Sequence, residues 1–107
     1  MSDLEASLVQ IWEKRRPLID RRLAAIEQTA QALRSGQQDA DTQELAAMEA
    51  HNLAGSLGAF GLHKASAAAR EAETILRNPS LAASDADHLL HLTSTLRQLI
   101  DQGPESA

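Results

Sequence analysis

Among its 107 residues the chain has no cysteine and no tyrosine, one tryptophan and one phenylalanine. Without cysteine there are no disulfides, no thiolate chemistry and no Cys-ligated metals, which fits a reducing compartment. No run approaches the ~18 consecutive apolar residues that a membrane-spanning helix needs, so no membrane insertion is expected. The opening residues, Met1-Ser2-Asp3-Leu4-Glu5, are acidic and lack the basic and apolar regions of a secretory signal, so a cytoplasmic location is expected. Cations are scarce as well. Ten Lys and Arg against 15 Asp and Glu leave a net charge of −5, and no Lys or Arg occurs between Arg34 and Lys64. That balance argues against a nucleic-acid partner, because phosphate backbones are bound by clustered cations. There is no Walker-type glycine-rich loop and no room for a nucleotide-binding domain.

What the chain does have is alanine and leucine, 20 and 16 residues, against 11 for Val, Ile and Thr together. Ala and Leu head the helix-propensity order, whereas strands favour β-branched and aromatic residues. The composition predicts an all-α protein of one domain, residues 1–107, with a core over about 4–101 and a frayed tail at 102–107. Leu4, Leu8, Ile11 and Trp12 recur at helical spacing up to about Arg15, where Pro17 either kinks the helix or opens a new one. Leu18, Leu23, Ile26, Ala30 and Leu33 continue to Arg34, and Ser35-Gly36 provides a stop. Asp39 or Asp41 can cap a third helix, which reverses at Gly58-Ala59-Phe60-Gly61. A fourth, about Leu62 to Arg77, carries Leu62, Ala65, Ala69, Ala72 and Leu76 and stops at Asn78-Pro79. Ser84 or Asp85 can cap the last, with Leu89, Leu92, Leu96, Leu99 and Ile100 on its stripe. Short links between amphipathic helices predict antiparallel neighbours in an up-down bundle.

The helix around His51 has an unusual pattern. At ~100° per residue, Ala46, Ala50, Leu53, Leu57 and Phe60 form its apolar stripe. Ala47, Ala54, Gly55 and Gly58 fall within roughly 60° of His51, on a face where Lys, Glu or Gln would be ordinary. Gly inside a helix costs ~1 kcal/mol relative to Ala, so Gly55 suggests close approach of something to the backbone. An imidazole on so bare a platform, with Ala47 and Gly58 as its docking face, suits contact with a macromolecule. On spacing alone, an ordinary half-buried histidine, with Gly55 and Gly58 fraying the helix end or the small residues packing against another helix, is the better explanation.

The run His51-Asn52-Leu53-Ala54-Gly55-Ser56-Leu57-Gly58-Ala59-Phe60-Gly61 resembles the signature of histidine-containing phosphotransfer (HPt) domains: His-x-Leu-Lys-Gly-Ser, then small residues and a glycine. The resemblance implies an antiparallel four-helix bundle with a short extra N-terminal helix. It implies His51 as phosphoacceptor, Gly55 as the residue giving clearance and Ser56 at the small-hydroxyl position. Where the family usually has Lys three residues after the histidine, this chain has Ala54. On the next helix, Glu73 is expected to accept from Nδ1–H and leave Nε2 as nucleophile. Lys64, Arg70 and Arg77 are the expected phosphate neighbours. For each of them, surface solvation and pairing along the helix, such as Arg70 with Glu73 and Glu73 with Arg77, is the competing explanation.

The implied function is a phosphorelay intermediate of two-component signal transduction, a carrier and not an enzyme. It would take a phosphoryl group from a response-regulator receiver domain charged by a hybrid sensor histidine kinase, and pass it to another receiver. It needs no cofactor, the Mg²⁺ belonging to the receiver, and a free-standing monomer is expected. The alternative is an inactive bundle that docks a kinase or receiver without carrying phosphate, which Ala54 favours. A third reading, metal binding by His88 and His91 on the last helix, has no Glu-x-x-His pair to support it, and no metal site is expected. Lys14-Arg15-Arg16 with Arg21-Arg22 reads as a solvated basic face balanced by Glu13 and Asp20, and Trp12 as a core plug.

Overall fold

The computed structural model describes residues 2–104. They form four α-helices: α1, Asp3–Arg34; α2, Ala40–Ala59; α3, His63–Leu76; and α4, Ala86–Gln102, entered through a 3₁₀ turn at Ala83–Asp85. Each helix packs on its chain neighbour and α4 returns to α1, which closes an antiparallel bundle. The centre is filled by Ile19, Leu23, Ile26 and Leu33 of α1, Leu53 and Leu57 of α2, Leu76 of α3, and Leu89, Leu96 and Ile100 of α4, all fully buried. No helix among the described residues is long and apolar enough to cross a membrane.

The expected short extra N-terminal helix is not separate. α1 runs through Pro17 without interruption for 32 residues. Proline removes one backbone hydrogen bond, to the carbonyl four residues earlier. Here Pro17 and Glu13 both face solvent, so that carbonyl is not left in an apolar core. Burial of Trp12 before the proline and Ile19 after it holds both halves on one axis. At ~1.5 Å per residue α1 is about 48 Å long, matching the 49 Å long dimension of the molecule. Its first turns overhang the bundle, so Leu4, Leu8 and Ile11 are exposed rather than core. Trp12 is where the core begins, its ring edge-on to Phe60 with centroids 5.0 Å apart.

The helix ends follow local chemistry. Ser2 caps α1 by accepting from the Glu5 N–H at 3.1 Å, and Asp39, not Asp41, caps α2 by accepting from the Thr42 N–H and hydroxyl. At the C-termini of α1 and α2 the chain turns through Gly36 and Gly61, with φ of +73° and +78°. Such values favour glycine, and they let the next residue donate back to Ala32 and Leu57 respectively. Gln43 of α2 donates to the carbonyl of Leu76 at 2.8 Å and so satisfies the end of α3. Neither Ser84 nor Asp85 caps α4 with its side chain. The Asp85 carboxylate instead accepts from the Ala82 N–H and braces the 3₁₀ turn. Of the tail expected to fray at 102–107, Gln102 is helical and Gly103 sits against Trp12, while 105–107 lie outside the described residues.

Arg16 and Arg97 tie α1 to α4. Arg97 reaches Asp20 and Glu27, each at 3.0 Å, and Arg16 reaches Asp20 and Asp101. Thus Asp20 balances part of the basic stretch of α1, as its composition suggested.

Candidate functional site

The site lies where α2 meets α3, the most extensive helix pairing in the molecule. α3 brings Ala65, Ala69 and Ala72 to its buried side, and α2 brings Ala47, Ala50 and Ala54. With so little side chain between them the two backbones come close. Ser66, buried on α3, donates to the carbonyl of Ala54 at 2.8 Å. A Cβ on Gly58 would stand 3.4 Å from that hydroxyl oxygen.

This close seam corrects the docking face expected on the His51 side. Ala47 is 1% exposed and Ala54 3%, so both are covered by α3 and offer nothing to a partner. Gly58 is half-covered by Ser66. Small residues near His51 therefore serve two purposes, and the helical wheel alone could not separate them. His51 stands at the edge of the seam. The surface still open beside it is the α1-facing side of the same helix: Leu45, Met48, Asn52, Gly55 and Ala59. Leu45 and Met48 are exposed apolar side chains. A helical wheel centres the open face on His51, whereas the covered Ala47 and Ala54 shift it by roughly 60–90° around the helix.

The imidazole is accessible, with 70% of its side-chain surface exposed. Its Nδ1 is 3.2 Å from Glu73 Oε1. The other carboxylate oxygen, Oε2, accepts from Arg77 Nε at 2.7 Å. Glu73 is the more covered member of this chain, at 18% side-chain exposure. Arg77's hydrogen bond, above all, holds the Glu73 carboxyl below its ordinary value; burial opposes this and the bond to His51 adds to it. An ionised carboxylate can only accept, so Nδ1 carries the proton, and a neutral ring then has its lone pair at Nε2.

The other named residues fall into place as follows. Arg70 is exposed on the Glu73 side of α3, and among the described residues its guanidinium makes no ion pair, including none with Glu73. Lys64 corrects the expectation of a phosphate neighbour. It lies nine residues before Glu73, about 14 Å along the axis and on the opposite side of α3. Ser56 accepts from Arg22 Nη1 of α1 at 2.8 Å, an interaction that sequence spacing gave no means of anticipating. Gly55 is exposed, and a Cβ placed on it would meet nothing within 4 Å. His88 pairs with Glu71 across α3 and α4, Nε2 to Oε1 at 3.1 Å, and not with His91. Among the described residues no three His, Asp or Glu side chains gather as a metal cage.

The family model described as the Hpt domain matches residues 11–102 of the chain. No curated protein matches, and no solved structure matches.

Proposed function

Because the chain belongs to the Hpt domain family, whose members are carriers in histidine phosphotransfer within phosphorelays and not kinases, we propose that His51 is its phosphoacceptor. The observation that carries this is the ring's environment: Nδ1 held on an ionised carboxylate, the rest of the ring open to solvent. In the reaction the Nε2 lone pair attacks the phosphorus of a receiver's aspartyl phosphate. An N–P bond forms, the acyl P–O bond breaks, and its electrons leave with the aspartate. The Nδ1 proton stays on the ring, and Glu73 steadies the positive charge that develops there. Arg77 keeps Glu73 ionised and aimed. The Mg²⁺ of the reaction is the receiver's, and this chain needs no cofactor. Reversal of the same step onto a second receiver completes the relay.

The open face of α2 is the docking surface. Leu45 and Met48 supply apolar contact, and Gly55 lets the receiver's active-site rim come close to the helix next to His51. The partners are receiver domains, one of them on a hybrid sensor kinase, acting on a cytoplasmic monomer.

One observation favours a second reading. α2 has no Lys or Arg, and Ala54 lies in the seam where the family usually places a cation. A bundle that docks receivers without accepting phosphate would tolerate that. One experiment separates the two. The protein is mixed with Mg²⁺ and a receiver charged by acetyl phosphate, and its intact mass is followed. The carrier reading expects an acid-labile, base-stable phosphate that is lost in His51→Ala. Binding without labelling, across a panel of receivers, supports the docking-only bundle.

A further inference from the structure

Among the described residues, one cation lies against the His51 helix with no carboxylate to neutralise it. Arg22 projects from α1, and its Nη1 donates to Ser56 Oγ at 2.8 Å and lies 3.5 Å from the carbonyl of Asn52. Asn52 adjoins His51, and Ser56 is about 7.5 Å further along the same helix. Among the described residues Arg16, Arg77 and Arg97 all pair with carboxylates, whereas both oxygens that Arg22 touches are neutral. Arg22 is half-buried, so its stem is packed and its head is held at the border of the exposed face.

A neutral hydroxyl is a modest partner for a guanidinium, and an anionic oxygen is a far better one. Neutral anchoring costs little to exchange and leaves the full positive charge available. Resting on the reading of His51 above, we infer that Arg22 is a positioning residue for phosphotransfer. It supplies from α1 the positive charge that α2 lacks, and Ser56 stores it beside the docking face. On docking it engages an anionic oxygen brought by the charged receiver, either on the phosphoryl group in transit or on a carboxylate at the rim of the receiver's site. Ser56 thereby gains a role distinct from capping, that of a cradle for an arginine from the neighbouring helix.

The test measures labelling of the full chain by a receiver charged with acetyl phosphate and Mg²⁺, for wild type, Arg22→Gln, Arg22→Lys and Ser56→Ala. Thermal melts run in parallel confirm that each variant folds. Arg22→Gln is expected to lower kcat/KM roughly tenfold, the worth of one charge-assisted hydrogen bond. Arg22→Lys keeps most of the rate, and Ser56→Ala falls between. Labelling by phosphoramidate, a small donor without a docking surface, distinguishes the two sources of the anionic oxygen. A loss in Arg22→Gln with both donors assigns the phosphoryl group; a loss with the receiver alone assigns a receiver carboxylate. Wild-type kcat/KM in a folded Arg22→Gln would overturn the inference while leaving His51 as acceptor. An equal loss in Arg22→Lys and Arg22→Gln would overturn it too, since shape rather than charge would then matter. If the wild type takes no label from any receiver, the reading of His51 fails and this one fails with it.

Discussion

Gly55 and Gly58 lie three residues apart on α2, and both follow His51 within two turns, yet they answer to different constraints. Gly58 faces α3, where the Ser66 hydroxyl occupies the space just beyond a would-be Cβ. Gly55 faces solvent, with nothing inside the molecule to meet a side chain. A glycine whose Cβ would already touch a neighbour across the seam leaves room for alanine at most and costs stability when made larger. A glycine that the fold does not require, kept in mid-helix at ~1 kcal/mol, points to a partner outside the fold. The comparison divides the surroundings of His51 into a seam that positions the ring and an open face, the docking surface proposed above.

The largest effects come from giving both positions the same side chain. Gly58→Val is expected to lower stability by about 1–3 kcal/mol as it pushes α3 away, measurable by urea denaturation. It should also weaken the His51–Glu73 hydrogen bond. Gly55→Val should leave stability nearly unchanged. Its labelling by a charged receiver should collapse while labelling by phosphoramidate persists. Equal stability losses at the two positions would erase the distinction.

A middle-sized effect lies within the seam. Ser66→Ala removes one buried hydrogen bond, from Ser66 Oγ to the Ala54 carbonyl, and should cost about 1 kcal/mol. It also clears the space opposite Gly58. Gly58→Val should therefore be better tolerated with Ser66→Ala than alone, and a double-mutant cycle would show a coupling of roughly 0.5 kcal/mol or more. Gly55→Ala combined with Ser66→Ala should show none.

The smallest effect concerns pH. The folded-state carboxyl of Glu73 lies below its ordinary value of 4.5, chiefly through Arg77. A lowered carboxylate contributes stability that is fully present above the ordinary value and is lost as pH falls through the folded one. The stability difference between wild type and Glu73→Gln should thus shrink as pH falls below 4.5. Arg77 is half exposed, so this difference should stay below ~1 kcal/mol. A difference that grows as pH falls below 4.5 would contradict the assignment.

The bundle itself was legible because its signals are periodic and local. The Ala and Leu stripes from Leu18 to Ile100 marked the buried faces, and Gly36 and Asn78-Pro79 marked helix ends. Pro17 misled because its effect is not local: burial of Trp12 and Ile19 on either side outweighs one lost backbone bond. The Leu4, Leu8 and Ile11 stripe misled for a related reason, since periodicity shows that a face is apolar but not that another helix extends far enough to cover it. At the site, Glu73 could be named from a helix wheel because it needs only that α3 lie antiparallel to α2. The burial of Ala47 and Ala54 could not, because it depends on how closely two alanine-rich helices approach. Arg22 was visible only as part of a basic stretch, and which of those cations pair with carboxylates is decided by the packing of α1 against two different neighbours.

The central claim is that Glu73 holds Nδ1 of His51 and leaves Nε2 for the phosphoryl group. Long-range ¹H–¹⁵N correlation spectra of the labelled protein before and after phosphorylation test it directly. The account predicts a protonated Nδ1 in the free protein and phosphorus bonded to Nε2 of His51 afterwards. Phosphorus on Nδ1 of His51, or on His63, His88 or His91, would contradict it.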